Sequence, residues 1–425
     1  MRVSLKYGKQ TKDIFFPDGT RVDILQPATA PLLDGPAAAL AQALESPLGD
    51  ADIRSLPEPG SVGVALPDET RPFPVRELLP VLFEFLQAAW PGLDAGRITV
   101  YVGGGLHPPM DEDGLARVVP PEIRAGVRVV PHDAKNDAMS DLGVTSRGVR
   151  VLINKGFAES DLRIVMGQID PHQFVGFTGG SKGACIGLAG AETIRSNHAM
   201  MFEPGAEVGL LDDNPVRQDL NEAGDMLGIH LAINVVNDPH KRPVWLGAGV
   251  PREVLREGAA ACAKVYGVRI DSQYDIVVAS CGGHPKDICL YQAQKGLNMA
   301  SRAAKPGGKV LLLAACAQGV GDDDYYEYVC GFDNMQAVMD DFGSGDFRMG
   351  AHKAFLFGRS ILAYEVALHS ELDKATLSRC HLTPGDARET VSRWLEEMPE
   401  ARVAVVSNAN TTYFHHGPAP QHERI

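Results

Sequence analysis

The chain reads as an α/β protein of two domains, each with a mainly parallel sheet flanked by helices. Three observations carry that reading. Short apolar runs such as Ser61–Leu66, Arg97–Val102 and Asp161–Met166 alternate with amphipathic stretches such as 75–90, the period-switching pattern of βα units. Each of those runs stops at a turn that carries a chemically capable side chain: Pro67-Asp68-Glu-Thr-Arg71, Gly103-Gly-Gly105-Leu-His107-Pro-Pro109, and Gly167-Gln-Ile-Asp170-Pro-His172. The rhythm then restarts near residue 270 with Tyr274–Ser280, a helix over about 288–304, Lys309–Ala314 and a late strand at 401–407.

The elements follow in order. Residues 2–26 read as a hairpin in which Val3–Tyr7 and Ile14–Phe16 alternate, with Pro17-Asp-Gly19 turning the chain before Arg21–Leu25. A helix is predicted over 35–46. The domain boundaries are expected at 1–269 for an N-terminal domain that carries the site and 270–405 for a second α/β domain. A Pro-rich tail, 406–425, is expected either to fold back on the first domain or to stay loose.

Composition narrows the function. With 425 residues, 44% hydrophobic and 22% charged, the chain is of ordinary globular type. A net charge of -14 argues against general binding to nucleic acid or to a membrane surface. No apolar run is long enough to suggest a membrane helix, and the N-terminus lacks a signal-peptide core. Seven cysteines without a CxxC pair point to a reducing cytoplasm rather than a disulfide framework. Cys185 is expected to be a buried apolar residue.

Open parallel sheets hold ligands beyond the carboxyl ends of their strands, so the turns bearing Asp68, Arg71, His107 and His172 are expected to converge. The densest of these segments continues from Asp170 through Gly176-Phe-Thr-Gly179-Gly180-Ser-Lys182-Gly183 to Asn197-His198. Gly179 and Gly180 allow close approach of backbone to a ligand, Lys182 offers a charge or a nucleophile, and the histidines offer proton transfer or metal ligation. The loop is not a nucleotide-triphosphate loop: Ser181 precedes the lysine and Gly183 stands where a magnesium-binding hydroxyl belongs. A lysine in this setting suits a covalent link to a carbonyl-bearing ligand. Three histidines, His107, His172 and His198, also admit a zinc site with an open position, although no closely spaced histidine pair accompanies them. In the second domain, Tyr291, Gln292 and Lys295 fall on one helical face able to meet an anion.

Taken together, these blocks resemble the nickel-dependent lactate racemase family, over nearly the full length and most specifically from Asp170 to His198. The resemblance implies an active site in an interdomain cleft and a nickel-pincer nucleotide, a nicotinic-acid-derived mononucleotide that binds nickel through one carbon and two sulfurs. Lys182 would hold this cofactor covalently through a thioamide, with Asp68, Arg71, Gly179 and Gly180 around it. His198 would be the protein's nickel ligand. His107 and His172 would be the acid/base pair, and Arg71, Tyr291, Gln292 and Lys295 would bind substrate. The implied reaction is racemisation or epimerisation of a 2-hydroxy acid by proton-coupled hydride transfer through a 2-keto acid. The alternatives are a zinc-type hydrolase using the three histidines and a non-catalytic sensor of a hydroxy acid or nucleotide. Implied partners are the small-molecule substrate and the proteins that make and install the cofactor, with a homo-oligomer compatible. Members of that family carry a tryptophan in the second domain. Here the corresponding stretch, from Arg348 to Leu356, has none, so His352 or Lys353 is a candidate to meet a second carboxylate.

Overall fold

A computed structural model describes residues 1–124, 126–344 and 350–415. The chain divides into two compact units, Thr29–Val265 and a second formed by Met1–Ala28 together with Tyr266–Ile425.

The Thr29–Val265 unit is built on a six-stranded sheet. Its order is Pro243–Gly249, Leu231–Asn237, Leu162–Gln168, Val62–Pro67, Ile98–Gly103 and Arg128–Pro131. All neighbours are parallel except the antiparallel edge strand Pro243–Gly249. The central strands are apolar on both faces, with Val62, Val64, Ala65 and Leu66 at 2% exposure or less, as expected for a sheet covered on both sides. Helix Val75–Ala89 lays Val75, Leu78, Leu79, Leu82 and Leu86 on the core, a 3–4 residue spacing that makes one apolar stripe.

The other unit holds a second six-stranded sheet, wholly parallel. Its order is Thr383–Pro384, Glu365–His369, Ala304–Leu313, Tyr274–Ser280, Arg402–Val406 and Arg21–Leu25. The α/β class with two parallel-dominated sheets is as the sequence predicts.

Three details differ from the expected plan. The hairpin is Arg2–Tyr7 paired with Gln10–Phe15, turning at Gly8 with φ of 54°, and Arg21–Leu25 is not part of it. That strand instead extends the second sheet beside Arg402–Val406, which takes residues 1–28 out of the first domain. The cause is chemical. Ser280 Oγ donates to Lys6 O at 2.5 Å, and Asp287 accepts from Gly8 N–H at 2.7 Å and from Ala315 N–H at 3.2 Å. The first two bonds satisfy hairpin backbone with groups more than 270 residues away. The strand expected from Lys309 begins earlier, as Ala304–Leu313, with an irregular start where pairing slips between Tyr274 and Ile276. From the expected tail, Tyr413–His415 pairs in parallel with Gly267–Arg269, within the second unit, and positions 416–425 lie outside the described residues.

Among the described residues, no helix is long and apolar enough to cross a membrane. None of the seven cysteines forms a disulfide, and Cys185 is fully buried, its thiol pushed up to about 12 by burial.

Candidate active site

Three of the predicted strand ends are neighbours in the first sheet. Leu162–Gln168, Val62–Pro67 and Ile98–Gly103 lie side by side and parallel, so their carboxyl ends share one edge. Register pairs Pro67 with Gly103, which sets Asp68 and Gly104 next to each other. A Cβ on Gly104 would sit 2.9 Å from Asp68 Oδ2 and 3.1 Å from His107 Cβ, so only glycine lets this loop lie over the carboxylate.

That approach produces a dyad. His107 Nδ1 lies 2.7 Å from Asp68 Oδ2, and Thr70 Oγ1 donates to Asp68 Oδ1 at 2.5 Å. Burial works against a charged Asp68, but hydrogen bonds from His107 and Thr70 and the nearby charge of Arg71 outweigh it and hold the carboxyl below its usual range. An ionised carboxylate only accepts, so His107 carries its proton on Nδ1 and turns Nε2 outward as a proton acceptor. His172 has the opposite arrangement. Val175 N–H donates to its Nδ1 at 3.3 Å, which leaves the neutral ring's proton on Nε2.

His172 sits in a two-residue ladder, Pro171–His172 against Gly176–Phe177, with His172 opposite Gly176. The ladder folds Phe174 inward. Its ring meets His172 edge-on at 4.6 Å between centroids and His198 at 5.2 Å, so one buried phenylalanine spaces the two histidines. His198 is placed by helix Ala191–Ala199, which is tied down by Asn197 Nδ2 donating to Asp219 Oδ2 at 2.8 Å.

Lys182 opens the short helix Lys182–Cys185, just after Gly179 and Gly180, both in the left-handed region at φ of 89° and 57°. Gly180 N–H donates to Asn234 Oδ1 at 2.8 Å. The carbonyls that lead into the lysine are gathered by Arg217. This fully buried guanidinium donates to Val175 O and Gly179 O, both at 3.4 Å, and to Phe177 O. Burial lowers the Lys182 ammonium to about 7, and the positive charges of Arg71 and Arg217 add to the effect. A large fraction of this amine is therefore neutral and nucleophilic at neutral pH.

The structure thus brings Asp68, Arg71, His107 and Lys182 into one electrostatic neighbourhood and couples His172 to His198 through Phe174. Tyr291, Gln292 and Lys295 begin helix Leu290–Ser301 in the other unit, with Tyr291 and Lys295 half-buried and Gln292 exposed. The three-histidine zinc alternative finds no support. Among the described residues no group of three His, Cys, Asp or Glu side chains is gathered to hold a metal, because His107 is committed to Asp68 while His172 and His198 pack on Phe174. Sequence reasoning missed Arg217 and Phe174. The signal for Arg217 was available: it lies three and seven residues before Leu220 and Gly224, on the buried stripe of helix Pro215–Leu227, where a lone cation needs a reason.

Comparison with known proteins supplies the family. Residues 7–209 match the family described as lactate racemase N-terminal domain, and 270–409 match lactate racemase C-terminal domain. The chain is 30% identical over 302 residues to a lactate racemase of Thermoanaerobacterium thermosaccharolyticum, covering 70% of each chain. It is 31% identical over 304 residues to a lactate racemase of Lactiplantibacillus plantarum, again covering 70% of each. The solved lactate racemase apoprotein from T. thermosaccharolyticum superposes with a TM-score of 0.88 at 24% identity, over 98% of this chain and all of that one. A structural-genomics protein from Thermotoga maritima shares the fold at a TM-score of 0.62 and 16% identity, over 90% of this chain and 97% of its own. On the two family matches and these relatives, the chain belongs to the lactate racemase family of isomerases.

Proposed function

We propose that this protein interconverts the stereoisomers of a 2-hydroxy acid, lactate or a close relative, using a nickel-pincer nucleotide tethered to Lys182. The observation that carries the reading is the pairing of two differently poised histidines with a lysine whose amine is lowered to about 7.

The residues present suit such a group. A neutral amine acylates readily, whereas an ordinary lysine is almost wholly protonated at pH 7. Arg71 and Arg217 supply positive potential near the tether for an anionic nucleotide. His198 is a borderline-soft nitrogen donor suited to nickel. Gly179 and Gly180 let backbone run close to the bound group. When bound, the nucleotide would supply a hydride acceptor and donor for the substrate's C2.

The protein's own contribution is proton handling and orientation. Hydrogen on the C2 of a 2-hydroxy acid is scarcely acidic, so its removal as hydride must be matched by loss of the hydroxyl proton. His107 Nε2 takes that proton from one enantiomer, with the Asp68 carboxylate stabilising the imidazolium that forms. His172 Nε2–H hydrogen-bonds the oxygen presented by the other. Running the reaction in the mirror-image sense requires His172 to accept at Nε2, so its proton must move to Nδ1 and the Val175 N–H bond to that atom must open. Arg71 would anchor the carboxylate while the 2-keto acid turns, and Tyr291, Gln292 and Lys295 are the further substrate-binding residues that the family resemblance implies.

The test is replacement of each histidine in cofactor-loaded enzyme. His107→Ala and His172→Ala should each abolish interconversion while circular dichroism stays that of the wild type. Full activity in either variant would refute the two-histidine scheme. The protein is expected to act in the cytoplasm and to depend on proteins that build and install the cofactor.

A further inference from the structure

The second unit carries a cation that this reading leaves unused. Lys353 is the second residue of helix His352–Ile361 and is half-buried. Its Nζ donates to Gln294 Oε1 at 3.0 Å and lies 5.1 Å from the centroid of the Tyr291 ring. Gln294 is fully buried, so its amide oxygen is held in place rather than waving in solvent. Both partners are neutral. Among the described residues Lys353 makes no ion pair. Asp322, whose charge reaches it, is occupied as the N-cap of helix Asp323–Cys330, accepting from Tyr325 N–H at 2.7 Å.

An ammonium taken out of water and met only by an amide oxygen and an aromatic face is poorly compensated. Burial accordingly lowers it to about 8; the charge of Lys295 adds to this, while Cys289 and Asp322 oppose it. An anion arriving beside Lys353 would restore what burial took away. The position is suitable for substrate. Tyr291 touches Lys353 on one side, and Lys295 lies one helical turn further along the face that bears Tyr291. His352 cannot supply the charge. Its ring packs edge-on to Tyr291 at 6.4 Å, and burial drops it to about 3, so it is neutral at working pH.

We propose that Lys353, aimed by Gln294 and Tyr291, binds a second acidic group of the substrate, so that the preferred 2-hydroxy acid is a dicarboxylate rather than lactate. The proposal rests on the racemase reading for its reaction but not for its binding site. A monocarboxylate uses one cation, for which Lys295 is sufficient on this face; a fixed extra ammonium beside it is what a second carboxylate needs.

The experiment uses wild type, Lys353→Met and Lys353→Arg as cofactor-loaded enzymes, assayed on both enantiomers of malate and of lactate. Wild type should prefer malate in kcat/KM by about 10-fold or more, and Lys353→Met should lose about 30-fold on malate, mostly in KM, the order of one charge-assisted hydrogen bond. Its kcat/KM on lactate should change by less than about 3-fold, and Lys353→Arg should recover much of the malate activity. A preference for lactate in wild type, or equal losses on both substrates, overturns the proposal. Calorimetric titration of succinate and acetate into wild type and Lys353→Met separates the two claims. Succinate binding that depends on Lys353, with neither hydroxy acid turned over, refutes the racemase reading and leaves the dianion site standing. Lactate racemisation with succinate binding indifferent to Lys353 refutes the dianion site and leaves the racemase reading standing.

Discussion

His107 and Asp68 form a hydrogen-bonded pair, Nδ1 to Oδ2 at 2.7 Å, between two loops that leave adjacent parallel strands. The Asp68 side chain is 9% exposed and that of His107 54%, so the carboxylate is the buried anchor and the imidazole the accessible partner. Asp68→Asn keeps the shape but replaces an obligate acceptor with a group that can also donate, which frees the ring to take the wrong tautomer. Activity should fall by about 10- to 100-fold, the size usual for losing a residue that orients a site ligand. Steady-state kinetics of the loaded variant measures it. Unchanged kcat would remove Asp68 from the proton pathway.

The same pair has a pH signature. Asp68 is held below its unfolded value, so its stabilising contribution is complete above the ordinary aspartate range and is lost as pH falls through the lower, folded value. Wild type should exceed Asp68→Asn in unfolding free energy at neutral pH, and the two curves should approach each other only in strongly acid solution. Urea titrations across pH test this.

Lys182 shares that direction in pH, but as a penalty and over a higher range. A depressed amine resists protonation in the folded state, so the folded state loses ground as pH drops from about 10.5 toward about 7, and the full penalty is present below that. Lys182→Met should therefore gain stability relative to wild type at pH 7 and show little difference near pH 11. Thermal unfolding of apoprotein at both values reads the sign directly.

Arg217 holds three carbonyls of the segment that leads into Lys182. Arg217→Met leaves those oxygens buried without a donor, at about 1–3 kcal/mol for each such group. The variant should be destabilised by about 3 kcal/mol or more. Amide exchange should quicken at Gly180 before the central strands respond, since the loop is the part that is released. Uniform quickening across the sheet would mean that Arg217 serves the fold as a whole.

Much of this was legible in the sequence, and the rest was hidden for physical reasons. Strand Tyr274–Ser280 and helix Val75–Ala89 announce themselves because local pattern and burial agree. That the strands leading to Asp68, His107 and His172 end at one edge of the sheet follows from a rule about parallel sheets, needing no contact information. The fate of Arg21–Leu25 does not, because its partner Arg402–Val406 lies some 380 residues later and nothing local to either strand specifies the pairing. The Asp68–His107 bond is hidden in the same way: the family resemblance implies a place for Asp68 around the cofactor, and the strand register is what brings it beside His107. Arg217 was overlooked because attention to catalytic residue types favours loops over a cation on a buried helix stripe.

The central claim is a nickel-bearing nucleotide fixed to Lys182 that the two histidines exploit. Its most direct test is intact-mass spectrometry, nickel content and racemisation measured on one preparation co-expressed with the maturation proteins. The account predicts an added mass and bound nickel in active wild type, both absent with the activity in Lys182→Ala. A preparation that racemises its substrate with unshifted mass and no nickel would contradict it.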